Sequence, residues 1–562
     1  MKSIIKKRSF FFILPALLFF SACTKDFSDR NTPANLLTED KTNPDLLLTA
    51  VQYTSIIQRQ NSTGEGGNTS NYAGMSVAPD NGPFADDFND YLWNLTYTSY
   101  ANNLASIIRI TKDNPELVNK KAIARIMKAM VFSQLTDTYG DVPYFQANLS
   151  PQEAIPDPQY DTQKSIYEDL LKELKEAVAE LDESKASFGS ADLMYGGDIA
   201  KWKKFGASLR LRLAMRVRYA DPQLAAANMS DLNESNLITT RADDAIAYTS
   251  SDVAAHQNAL YNAKAGGGYF TKGLIGKTLL DILIGTGDAH NPQDPRIKIY
   301  ADTAQAKWPP TLTPPLPYFG YRGQPLLGAV PIEEKYPYQF GSVSEISFFW
   351  YSPVIEIPVL RSSEVYFLLA EAALYEMISG DASDFYKKGI AAAIVQSQDF
   401  YEKSKPQMAG SSGVLKLFNP DWTDDDIQNY LAYKEMSQPE IDDFLASSAT
   451  TLTGGDEEKL EQIINQKTVA LYPNALEGWT EWRRTGYPRV LIAADEQSAL
   501  HGVPRRRERY PTNESLINSV HYNEAVDRMG GNGLLLKVWW DANPNPNHPH
   551  PGAVESRPNP WQ

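Results

Sequence analysis

The chain has 562 residues, with 53 Lys and Arg against 69 Asp and Glu and a formal charge of −16 at neutral pH. Setting aside the four basic residues of the N-terminal leader leaves 49 against 69, or −20, a balance that repels nucleic acid and anionic membrane surface. A single cysteine cannot staple the chain internally, so stability has to come from a large apolar core.

The chain opens with Lys2, Lys6, Lys7 and Arg8, an apolar run from Phe10 to Phe20, and the small residues Ser21 and Ala22 before Cys23. At roughly 11 residues the run is too short for a stable spanning helix, which needs about 20, and its order is that of a secretory leader. The only thiol stands at the first position after the small pair, where acyl transfer requires it. Phe20 departs from the Leu usual three residues before the cut. Residues 1–22 are therefore expected to be a lipoprotein signal peptide. Residues 23–40 form a lipidated tether, 41–541 a folded body, and 542–562 an Asn/Pro/His-rich tail. Two or three acyl chains on Cys23 anchor such a protein to outer-membrane lipid without a transmembrane helix.

Helical periodicity dominates the body. Ile123, Ile126, Met127, Met130, Val131 and Leu135 make one apolar stripe in Lys121 to Tyr139, and Gly140 and Pro143 stop it. Asp161-Thr162 supplies N-caps for a second helix carrying Ile166, Leu170, Leu174, Ala177, Val178 and Leu181. Asp198 to Tyr219, Arg361 to Met377, Phe385 to Val395 and Glu457 to Leu471 follow. The predicted fold class is all-α, a tetratricopeptide-like scaffold of helix pairs, although no 34-residue consensus repeat is visible.

Two long segments interrupt the helices, Asn61 to Asp90 and Gly266 to Tyr351. Their aromatics, among them Tyr72, Phe84, Tyr269, Trp308, Tyr318 and Tyr321, are too many for a solvated linker. A sugar ring has an apolar face and a hydroxyl rim, and Tyr or Trp beside Asn and Arg suits both. The ligand site is expected where the two segments meet. Tyr72, Phe84, Trp308 and Tyr321 are its platforms, with Asn71 and Arg322 as polar partners. Extended peptides would use the same platforms.

Asp137-Thr138-Tyr139-Gly140-Asp141-Val142-Pro143-Tyr144 resembles the central signature of the SusD/RagB nutrient-binding outer-membrane lipoproteins. Tyr195-Gly196-Gly197-Asp198, Asp294-Pro295-Arg296, Glu364 to Ala372, Glu477-Gly478-Trp479, Arg483 to Pro488 and Trp539-Trp540-Asp541 continue the pattern in order. The resemblance runs from Cys23 to about Asp541. It implies four tetratricopeptide-like helix pairs with a loop-rich ligand face. It also implies a surface-exposed, lipid-anchored partner of a SusC-like TonB-dependent transporter, binding an oligosaccharide, or in some cases a peptide, without catalysis.

Other chemistry is weakly marked. Asp137 and Asp141 could be read as a glycosidase pair, but they flank a helix stop where carboxylates fix turns. Glu371 and Glu477 are expected to pair with Arg210, Arg212, Arg483 or Arg484. Arg505-Arg506-Arg507 reads as local structure, and Asp424 to Asp426 as the acidic first turn of a helix. Asp86, Asp87 and Asp90 lack calcium-loop spacing, and His548 and His550 are weak metal ligands, so neither metal nor cofactor is expected. No phosphate loop, nucleophile elbow or His-Glu-x-x-His motif is present.

Overall fold

A helical scaffold follows directly from those apolar stripes. The computed structural model describes residues 42–58, 75–77, 89–150, 153–266, 272–285, 293–304, 320–324, 329–331, 343–489, 505–544 and 556–558. By its contacts the chain divides into Met1–Pro44 and Asp45–Gln562, and the helical body is the second unit.

Four pairs of helices carry the body. They are α1 (Ala101–Thr111) with α2 (Val118–Tyr139), α3 (Gln163–Glu180) with α4 (Ile199–Arg216), α5 (Ser362–Leu374) with α6 (Ala382–Met408), and, beyond α7 (Asp424–Lys434), α8 (Asp456–Leu471) with α9 (Ala475–Thr485). Each packs on its partner and the pairs follow one another: α2 on α3, α4 on α5, α5 on α8. The six stripe residues of α2 are buried to within 1%. Each contributes about 1.5–3 kcal/mol relative to exposure.

The ends of the helices obey local chemistry. Thr162 caps α3 by accepting the Ser165 N–H, and Asp198 caps α4 by accepting that of Lys201. Thr423 and Asp426 form a capping box at α7, so the acidic run does open a helix. Gly140 ends α2 at φ +87°, where its N–H still reaches the Thr136 carbonyl. α6 runs well past the expected Val395, to Met408. The helix expected over Asp198 to Tyr219 ends at Arg216, and Pro222 opens the short helix Pro222–Met229, where its missing N–H costs nothing.

Strands are few among the described residues. β1 (Ser76–Val77) pairs antiparallel with β3 (Leu274–Ile275), and β2 (Ala245–Tyr248) with β5 (Glu356–Leu360). β4 (Ala329–Pro331) pairs antiparallel with β6 (Ser556–Pro558) of the tail. Among the described residues no helix is long and apolar enough to cross a membrane.

Candidate functional site

The signature loop after α2 is a clasp. Asp137 is buried and accepts from the Tyr167 hydroxyl, the Arg216 guanidinium and the Trp540 indole, the last at 2.7 Å. Asp141 accepts the Gln163 backbone N–H at 2.8 Å and the Arg528 Nε at 2.6 Å. The Tyr510 hydroxyl donates to the Asp141 carbonyl and the Glu508 N–H to that of Thr138, so the C-terminal segment closes over the motif. Asp141 fixes a turn as expected, whereas Asp137 is held by side chains. Both carboxylates accept from donors of this chain itself.

Asp137 belongs to a buried ionic spine through all four helix pairs. Arg216 bridges it to Glu477, which lies 3.8 Å from Arg212. Arg212 binds Glu364 at 2.7 Å, and Arg218 and Arg484 grip Glu371 at 2.7 and 2.6 Å. Arg484 and Lys467 share Glu481 at 2.6 and 3.1 Å. These five carboxylates and five cations balance, which is the condition for keeping charge in a low-dielectric interior. Burial works against the Arg216 charge, but Glu477 and Asp137 outweigh it and raise its pKa. Of the four candidate arginines, Arg484 reaches Glu371 and Arg212 reaches Glu477, and the other two turn elsewhere. Arg210 reaches Asp231 on the surface instead, because it lies on another face of α4. Arg483 donates to the Asp137 and Arg506 carbonyls rather than to a carboxylate. The Arg505–Arg507 run is local structure: Arg505 pairs with Glu508 and Arg506 with Asp541.

The Tyr195-Gly196-Gly197 motif is also accounted for internally. With φ of +60° and +84°, the two glycines fold the backbone around Asp192. Its carboxylate accepts from Met194, Gly197, Trp202 and Gln52 at 2.7–3.1 Å. A Cβ on Gly197 would meet the Gly189 nitrogen at 2.6 Å. The cradle is an anion nest, and this chain's own aspartate fills it.

The remaining feature is the loop face. The two long segments do meet: β1 comes from the first and β3 from the second, and the Gly276 N–H reaches the Met75 carbonyl at 2.9 Å. Residues 320–324 thread beside them, with Ala304 N–H to Gly320 O at 2.9 Å, Ser344 N–H to Arg322 O at 2.7 Å and Gln324 N–H to Ile275 O at 2.8 Å. Beneath lies an aromatic turn, Phe348–Tyr351, in which Trp350 stacks on Phe400 at 4.3 Å. Phe348 takes the Lys272 ammonium over its ring at 3.5 Å.

Asp302 sits between these parts. It accepts from Lys272 at 2.5 Å, Lys434 at 2.7 Å and the Tyr430 hydroxyl at 2.7 Å. Burial opposes its charge, yet the two ammonium groups win and hold its pKa at about 2. Above this group the Tyr321 and Tyr433 hydroxyls lie 3.2 Å apart, with Tyr433 exposed to 48%. Burial and the Tyr433 hydroxyl raise the Tyr321 pKa.

Of the expected site residues, Tyr321 stands half-buried at this face and Arg322 beside it is buried, its N–H on the Ser344 hydroxyl at 3.0 Å. Tyr72, Phe84, Trp308, Asn71 and Cys23 lie outside the described residues. Tyr433 was missed, because α7 shows only its acidic first turn in the sequence. Its spacing of three from Tyr430 is the one available signal, and that spacing does not tell which ring faces out. Among the described residues, open grooves lie elsewhere too, one of about 460 Å³ beside Glu183, Lys185 and Asp198. Another, of about 740 Å³, is lined by Met229, Glu234, Leu369 and Phe385, and a third, of about 410 Å³, by Tyr386, Phe444 and Asn465. The rings in the last two are buried. Among the described residues no group of His, Cys, Asp and Glu is arranged to hold a metal.

Paired helices beneath a loop face that carries Tyr321 and Tyr433 define an all-α scaffold. The chain belongs to the SusD-like family, described as SusD and RagB outer membrane lipoprotein, which it matches over residues 36–541. Among solved structures it is similar to a chitin-binding protein at 27% identity and a TM-score of 0.69, covering 89% of this chain and 100% of that one. A SusD homologue from Bacteroides uniformis is 26% identical, with a TM-score of 0.63 and coverage of 89% and 99%. A chitin-binding SusD homologue from Flavobacterium johnsoniae, at 24% identity and a TM-score of 0.62, covers 89% of this chain and 98% of its own. That likeness concerns the fold alone. A comparison with curated proteins finds no match.

Proposed function

We propose that this protein is a non-catalytic, lipid-anchored receptor that binds an oligosaccharide at the loop face and hands it to a SusC-like TonB-dependent transporter. The observation that carries the reading is the family match across the whole body, joined by the 27% identical chitin-binding relative. Oligomers of N-acetylglucosamine are therefore the first ligands to try. Tyr321 and Tyr433 offer what a sugar needs, an apolar ring surface with a hydroxyl tip and few rotamers to freeze. The engagement of Asp137 and Asp141 supports binding without hydrolysis.

Cys23 supplies the anchor in this reading, residues 23–40 the tether, and 41–541 the receptor. Tethering beside a pore raises the effective concentration over it, so weak contacts with the transporter suffice. The test is a screen of the purified body against neutral glycan oligomers and extended peptides, with product analysis of each mixture. Saturable binding of a glycan recovered intact is expected. Binding of peptides alone would reassign the ligand class, and new reducing ends lost in Asp141→Asn would overturn the non-catalytic reading.

A further inference from the structure

We infer that Asp302 is a positioning residue for ligand binding: with Lys272, Lys434 and Tyr430 it forms a buried knot that sets Tyr321 and Tyr433 at the loop face. The inference rests on the loop face being the ligand site, as proposed above.

Asp302 stands at a junction of three chain segments. Its own N–H reaches the Glu345 carbonyl at 2.8 Å, and two residues on, Ala304 pairs with Gly320, next to Tyr321. Lys434 is the last residue of α7 and the neighbour of Tyr433. Its ammonium is 1% exposed and is shared between Asp302 and the Ala301 carbonyl at 2.5 Å. Lys298 seals the end of α7, donating to the Glu435 carbonyl at 3.1 Å and the Glu440 carboxylate at 2.6 Å. Lys272, also buried, reaches Glu345 at 3.2 Å, so two cations meet two carboxylates.

A core of this kind would be at least as stable with aliphatic side chains, because desolvating ions costs about what their attraction returns. What an ionic knot supplies that Leu cannot is a fixed direction for each donor. Here those directions determine how the last turn of α7 lies against residues 320–324. The hydroxyls of Tyr321 and Tyr433 are then held 3.2 Å apart, with the Tyr433 ring open to solvent. A pair already held in place loses less rotamer freedom when ligand arrives. Freeing two such side chains should weaken binding about tenfold.

The test is calorimetric titration of a hexamer of N-acetylglucosamine, or whichever glycan the screen selects, into wild type, Asp302→Asn, Tyr430→Phe, Tyr321→Ala, Tyr433→Ala and the double variant Asp302→Asn/Tyr433→Ala. Asp302→Asn should lose about tenfold in affinity and Tyr430→Phe about threefold. The double variant should lose less than the sum of the two single losses, since part of what Asp302 does passes through the Tyr433 ring. Losses that add instead would overturn the inference. So would wild-type affinity in a folded Asp302→Asn while Tyr433→Ala binds poorly, and that result would leave the loop-face reading standing. If Tyr321→Ala and Tyr433→Ala both bind as wild type, the loop-face reading falls and takes the inference with it. Should Asp302→Asn not fold, Tyr430→Phe decides, and unchanged affinity there would refute the knot's role.

Discussion

Replacing Asp137 by Ala tests what the signature motif is for. The carboxylate serves Arg216, the Tyr167 hydroxyl and the Trp540 indole, all buried. Its loss leaves Arg216 with Glu477 alone and strands two neutral donors away from water. Breaking a buried ion pair costs about 3–5 kcal/mol, and a stranded donor about 1–3 kcal/mol. The three partners share one group, so the contributions overlap and a total of about 5 kcal/mol is reasonable. For a body of ~500 residues the unfolding entropy is about 1 kcal/mol per degree, so Tm should fall by about 5 °C. Asp137→Asn keeps an acceptor and loses only the charge, and should fall between. Scanning calorimetry on the three proteins gives the answer, with glycan affinity as the control. A shift under 1 °C would refute the spine. Changed affinity at constant Tm would mean that Asp137 faces a ligand.

Other expectations follow from single contacts. Gly140→Ala places a Cβ 2.4 Å from Met529 Cε at a φ of +87°, so it should cost about 2 kcal/mol and about 2 °C, and an unchanged Tm would show the turn to be slack. Asp302, with a pKa of about 2 against an ordinary 3.8, contributes stability that is present above pH 4 and lost as pH falls through 2. That contribution is about 2 kcal/mol, so the Tm gap between wild type and Asp302→Asn should narrow steadily from pH 5 to pH 2. A gap that widened in acid would contradict it. Cys23→Ser should leave the body folded and move it from the membrane to the soluble fraction, and retention on the membrane would place the anchor elsewhere.

Much of the scaffold was legible because its stripes are local. The α2 and α3 stripes, the Thr162 cap and the Gly140 stop each sit within a few turns of the residues they govern, and all are found. Partners of the buried charges were less legible. Arg212 and Glu364 lie 152 residues apart and Asp137 and Trp540 403 apart, and only the packing order of the helix pairs selects them. The sequence therefore offers four arginines for Glu371 and Glu477, of which Arg484 and Arg212 reach them, and it does not mark Arg218 and Arg216. The loop face was legible as a meeting of two aromatic-rich segments, which β1 and β3 join. Tyr433 was not, because its exposure depends on the Lys434–Asp302 contact across more than a hundred residues.

The central claim is that the body binds glycan reversibly and does nothing else to it. Equilibrium titration of wild type with N-acetylglucosamine oligomers of increasing length, followed by mass analysis of the recovered ligand, tests this most directly. The account requires one saturable site per chain, affinity that rises with length, loss of about 5- to 150-fold in Tyr321→Ala or Tyr433→Ala, and ligand recovered unshortened. Shortened oligomers, or no saturable binding by any glycan in the screen, would contradict it.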